Sequence, residues 1–240
     1  MVKLPFPGRT EVARMVTGAL RQALQREQLG ELVVSQTHTP MHFNPGAGLI
    51  GVCHGGIEDL YWVRCPDAAL VPCSQSHPSL VVEVGMPGES HFGLQERCRS
   101  WFCEPYADNY MYEKNFQPTS VISLHIRPWQ GSEQHLITAS LLVQGEKIRE
   151  EESVAFVTSS AVHSGCQGGS TGSTVSGDAV WHIPVRYLLG SLAAGSKKEK
   201  EREEGDGGGA NEEGGLAAVT VELDMPAALA GVKMALCGPG

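Results

Sequence analysis

Two stretches decide how this sequence is read: Val63-Arg64-Cys65-Pro66-Asp67-Ala68-Ala69-Leu70-Val71 and, after a polar turn, Leu80-Val81-Val82-Glu83-Val84-Gly85. The second is a nearly unbroken run of branched apolar residues, the pattern of a strand buried on both faces. Between them, Cys73-Ser74-Gln75-Ser76-His77-Pro78 reads as a turn. A hairpin folded about Gln75 sets Asp67 opposite Glu83, with both carboxylates on one face of adjacent strands; a slip of one residue would send Glu83 to the other face. Like charges that face each other oppose strand pairing, and an isolated carboxylate in an apolar strand suffers desolvation. Three things relieve the conflict: protonation of one carboxyl, a salt bridge from Glu83 to Arg64 or Arg97, or a divalent cation held between the two.

Working outward, Val12, Met15, Val16, Ala19, Leu20, Ala23 and Leu24 recur at three and four residues and predict an amphipathic helix over 10–29. Thr10 is placed to cap it, Glu11 to complement its dipole, and Gly30 to close its C-terminal end. Short strands are predicted at 32–34, 49–52 and 60–63, with the 63–71 run interrupted by Pro66. Met86-Pro87-Gly88-Glu89-Ser90 is a loop, and a second helix is predicted over 90–102, with Phe92, Leu94, Cys98, Trp101 and Phe102 as its apolar positions. Strands at 121–126 and 136–143 follow, the pattern weakens after Gly145, and 163–177 is a Gly/Ser/Thr-rich loop. Residues 180–189 read as a strand leading into a helical turn, and 217–223 as a last strand. The class is α/β.

Of the 240 residues, 18 are basic and 27 acidic, a net charge of -9, which argues against a protein held on nucleic acid by bulk electrostatics. No apolar run approaches the roughly 18 residues of a membrane span, and the first ten residues lack the apolar stretch of a signal peptide. Seven cysteines, an odd number without a CxxC, fit free thiols in a reducing compartment, so an intracellular location is expected. Residues 195–215 mix charges with glycine and are expected to be a disordered linker. The organisation expected is a folded domain over 1–194, that linker, and a C-terminal strand and tail over 216–240.

Cys65-Pro66-Asp67-Ala68-Ala69, followed by Pro78-Ser79-Leu80-Val81-Val82-Glu83-Val84-Gly85, resembles the PD-(D/E)XK nuclease superfamily of restriction-endonuclease-like proteins, fungal relatives included. The Glu89-Ser90 turn, the Leu94, Arg97, Arg99, Trp101 and Phe102 pattern, the strand at 121–126 and Trp181-His182-Ile183-Pro184-Val185 extend the likeness in order along the chain. The resemblance implies a central mixed β-sheet flanked by helices in the order α-β-β-β-α-β. It implies Asp67 and Glu83 as ligands of Mg²⁺, with Glu11 on the first helix as a further acidic residue. The activity implied is metal-dependent phosphodiester hydrolysis of nucleic acid, the ion activating the attacking water.

One position departs from the pattern. The motif lysine, two residues after the glutamate, is replaced by Gly85, and Lys3 and Lys114 are the nearest lysines. Gln95, Arg97 or Arg99 on the second helix are the candidates to contact phosphate in its place, although an arginine does not exchange protons as a lysine does. Two functions are therefore expected to compete: a nuclease with a degenerate site, and an inactive nuclease-fold scaffold that binds a partner, for which a protein suits the acidic chain better than nucleic acid.

Overall fold

Pro7 opens helix α1, which spans Pro7–Arg26. Its ring fixes the backbone angle that the first helical turn needs. The helix thus begins before Thr10, which lies inside it and not at its cap. At the other end, Leu29 N–H bonds to Leu24 O at 2.8 Å and Gln28 N–H to Gln25 O at 3.0 Å, a Schellman closure. The left-handed residue in that closure is Gln28, at φ 62°, and not the expected Gly30. Gly30 instead starts a 3-10 turn (Gly30–Leu32), where a Cβ would sit 2.3 Å from Gln25 Cγ. Gln28→Gly should therefore raise stability by about 0.5–1 kcal/mol, because relief of left-handed strain exceeds the added unfolded-state entropy; urea unfolding reads the shift.

The computed structural model describes residues 7–37, 41–43, 62–75, 77–102, 117–129, 134–145, 147–158, 173–190, 218–230 and 232. The expected strand at 49–52, most of the 163–177 loop and the 195–215 linker lie outside them. Strands β1 (Val33–Gln36), β2 (Met41–Phe43), β3 (Trp62–Arg64), β4 (Ala68–Pro72) and β5 (Leu80–Gly85) precede helix α2 (His91–Ser100). Then come β6 (Ser120–Trp129), β7 (Gln134–Val143), β8 (Arg149–Val157), β9 (Ser173–Gly177), β10 (Val180–Pro184) and the short helix α3 (Arg186–Leu189). Strand β11 (Thr220–Asp224) and a final turn of helix, α4 (Met225–Ala228), complete the described chain.

A seven-stranded mixed sheet in the order β1-β4-β5-β6-β7-β8-β9 forms the centre. Its pairs are antiparallel except β5 with β6, which run parallel across the α2 crossover. The 63–71 stretch does not make one interrupted strand: β3 pairs with β2 in a separate two-stranded sheet, and β4 enters the main sheet beyond Pro66. Strand β8 was hidden in the sequence because Glu150, Glu151 and Glu152 break its alternation; the pairing with β7 shifts register there, with Leu141 opposite Glu152 and Leu142 opposite Glu150. The end of the low-complexity loop is likewise a strand, β9, whose backbone pairs with β8 whatever its side chains.

Two apolar layers cover the sheet. On one face, Val12, Val16, Leu20 and Leu24 of α1 pack with Leu70, Leu80, Val82, Val84, Ile122 and Leu124. On the other, Leu94 and Cys98 of α2, with Trp101 and Phe102 just beyond it, pack on Val81, Val121 and Leu142. Every residue of β5 is buried, as its unbroken apolar run requires. Strand β11 pairs antiparallel with β10, and its inward residues Val221 and Leu223 join Met225, Leu229 and Val232 in the α1 layer. Among the described residues, no helix is long and apolar enough to cross a membrane.

Candidate functional site

The β4–β5 hairpin has the register expected from sequence: Ala68 faces Val82, Ala69 faces Val81 and Leu70 faces Leu80. The ladder ends there: Asp67 lies just before β4 and Glu83 just after Val82 on β5, and both residues are buried. Alternation along β5 assigns Val81 and Glu83 to the α2 face, while Leu80, Val82 and Val84 point at α1. Asp67 turns its carboxylate onto the neighbouring backbone, where Oδ2 accepts from Val84 N–H at 2.8 Å. It thereby continues the β4–β5 ladder with a side chain.

Glu83 is held by α2 and the residue that follows it. Oε2 accepts from Arg97 Nε at 2.7 Å, and Oε1 accepts from Trp101 Nε1 at 2.9 Å. Positions 97 and 101 are one helical turn apart, so both donors reach the same carboxylate. The cation expected near Glu83 is therefore Arg97, as the salt-bridge alternative had it. Arg97 also pairs through Nη1 with Glu89 and donates from Nη2 to Val84 O at 3.0 Å. Burial works against charge on this guanidinium, but the carboxylates of Glu83 and Glu89 outweigh it, holding its pKa above the ordinary arginine range.

Glu89 is placed by local chemistry. Pro87 and Gly88 occupy the centre of a tight turn, with Gly88 at φ 94° and Glu89 N–H bonded to Met86 O at 3.0 Å, as a type II turn demands. Ser90 then caps α2, its Oγ accepting from Gly93 N–H at 3.0 Å. The second oxygen of Glu89 pairs with Arg9 Nη2 of α1 at 3.1 Å. A chain of alternating charge, Arg9–Glu89–Arg97–Glu83, thus ties the helices on opposite faces of the sheet around the end of β5. His125 of β6 joins it, donating from Nε2 to Glu89 O at 2.9 Å.

The sequence-derived candidates divide. Glu83 and Arg97 are brought together, and Asp67 bonds the backbone of Val84 next to Glu83. Gln95 is half-buried on α2 and takes no part in these bonds. Glu11 pairs with Arg14 at 2.9 Å on the exposed side of α1, across the sheet from Glu83. Arg99 lies on the surface with Glu96. Sequence reasoning assigned no site role to Arg9, Glu89, Trp101 and His125. For Glu89 a signal was present, because an acid set between a Pro-Gly turn and a helix cap has a fixed position.

Gly85, where the resemblance implies a lysine, packs closely against two side chains. A Cβ there would lie 2.9 Å from Leu94 Cδ2 and 3.0 Å from His125 Cδ2. The Mg²⁺ implied by the resemblance does not fit these residues either: both oxygens of Glu83 accept N–H donors, and a guanidinium lies on the carboxylate a metal ion would need. The ring of His91 lies 5.4 Å from that of His125. The His91 pKa is lowered by burial, then by His125 and Arg127, against a smaller upward pull from Glu150. Since His91 binds its proton less well folded than unfolded, it contributes stability that is full above the unfolded value near 6.5 and is lost as pH falls below it through the lower folded value. Titration by NMR should place His91 below that value, and His91→Gln should flatten this part of the stability–pH curve.

Comparison of the chain with family models, with curated proteins and with solved structures finds no match.

Proposed function

We propose that the chain is a restriction-endonuclease-like scaffold without nuclease chemistry, serving as a binding module for a protein partner. The observation that carries this reading is Arg97, which spans Glu83 and Glu89 where the resemblance calls for a metal ion. Three further features support it. Setting aside the separate β2–β3 sheet, the order α1–β1–β4–β5–α2–β6 with β5 and β6 parallel speaks for such a scaffold. At Gly85 any side chain would have to displace Leu94 and His125. A net charge of -9 favours a protein over nucleic acid as the partner.

The test is plasmid nicking and RNA cleavage with Mn²⁺ or Mg²⁺, comparing the natural chain with Glu83→Gln. No cleavage that depends on Glu83 is expected; cleavage by the natural chain that is lost in Glu83→Gln overturns the reading. That outcome would favour a second reading, metal-dependent phosphodiester hydrolysis, for which two buried acids at the open end of the β4–β5 hairpin speak. On the scaffold reading, Gly85→Lys restores the motif in sequence only. It is expected to gain no nuclease activity and to lose about 1–3 kcal/mol of stability, because Leu94 and His125 must give way.

A further inference from the structure

Phe92, the second residue of α2, is 71% exposed, more than any other large apolar side chain among the described residues. It takes no part in holding the helix to the sheet, which falls to Leu94 and Cys98. Its neighbour His91 lies with its ring 5.4 Å from that of His125 on β6. Two residues further along β6, on the same face by strand alternation, Arg127 is exposed, and among the described residues no carboxylate pairs with it. The carboxylate of the preceding turn, Glu89, is already committed to Arg9 and Arg97, and Glu83 of β5 to Arg97. Glu150 of β8 pulls the other way and is outweighed: after burial, His125 and Arg127 hold the His91 pKa below its ordinary value. The local field is therefore positive in a chain whose net charge is -9.

We infer that His91, Phe92 and Arg127 form the docking surface for an acidic segment of a partner protein, one that carries an aromatic or aliphatic side chain beside its carboxylates. The inference rests on the reading of the chain as a binding module, and it adds where the module binds and what it takes. Arg127 offers a carboxylate parallel N–H donors, and Phe92 offers an apolar side chain a ring to cover. Aromatic and arginine side chains are the residues that protein contacts favour at their centre. A short acidic segment brings few charges, whereas one unpaired guanidinium does not offset the repulsion between this acidic chain and a phosphate backbone. A carboxylate brought here favours the protonated form of His91. Binding therefore takes up a proton and tightens as pH falls toward the ordinary histidine value.

The experiment titrates the full chain, by fluorescence anisotropy, with a short labelled peptide of glutamates around a tryptophan and with the same peptide carrying glutamines. The glutamate peptide should bind saturably, more tightly at low salt, and about tenfold more tightly than the glutamine peptide. Arg127→Glu and Phe92→Ala should each weaken it about tenfold. Both side chains are exposed, so the urea transition of either variant should match that of the natural chain. Histidine NMR should show the His91 titration moving up in the complex. No saturable binding, or binding indifferent to both substitutions, overturns the inference. So does an oligothymidylate that binds through Arg127 where the peptide does not, which makes the surface a nucleic-acid contact. Self-association of the natural chain that Arg127→Glu abolishes overturns it in favour of a second copy. A free chain whose His91 titrates above the ordinary histidine value overturns it too, because the chain's own carboxylates then fill the surface. None of these results touches the scaffold reading, which Glu83-dependent cleavage defeats.

Discussion

Arg97→Ala in ion-free buffer is expected to cost about 3–5 kcal/mol, the usual consequence of removing one partner of a buried ion pair. The Glu83 side chain is only 2% exposed, so water does little to compensate the charge left behind. Trp101 still donates to its other oxygen, but one neutral N–H does not replace a guanidinium. The loss spreads beyond Glu83, since Glu89 is left with Arg9 alone and the tie between the two helical layers is cut. Glu83→Gln should cost less than Arg97→Ala, because an amide keeps the shape and still accepts from Trp101. The double variant should then be more stable than the sum of the single losses predicts, and urea unfolding analysed as a double-mutant cycle measures that coupling.

Ending the chain before Ala218 is expected to leave a protein that does not fold. The cut removes Val221, Leu223, Met225, Leu229 and Val232, all buried against the α1 layer. Each buried side chain of this kind contributes about 1.5–3 kcal/mol, so together they match the roughly 5–15 kcal/mol that holds a whole domain. The cut also strips β10 of its partner and uncovers Trp181 and Ile183, which are fully buried in the intact chain. Loss of near-ultraviolet circular dichroism and of a cooperative urea transition would record the outcome. A truncated chain with a sharp transition would show that the α1 layer stands without its C-terminal cover.

Much of this architecture could be read along the chain. The apolar periodicity of α1, the unbroken run of β5, the Pro- and Gly-containing loop and the helix after it are local signals, and each produced the element expected of it. The hairpin register was legible too, because the turn residues and the buried runs on either side agree on one alignment. Strands β8 and β9 were not. One carries three consecutive glutamates on its outer stretch and the other is mostly Ser, Thr and Gly, so both owe their place to backbone pairing with a neighbour. The C-terminal closure of α1 eluded the sequence for a similar reason, since Gln28 has no intrinsic preference for the left-handed angle that the chain imposes on it.

By itself, then, the chain order placed two acids at the end of a buried hairpin and required relief there, by protonation, an ion pair or a metal ion, because desolvation penalises a lone carboxylate wherever it is buried. Which of these answers that need was decided by tertiary structure alone. Only the packing of α2 across β5 brings Arg97 and Trp101 onto Glu83 and swings Glu89 in from its turn. Ion pairing depends on distance and on exclusion of water, and residues far apart along the chain acquire both only when the layers close.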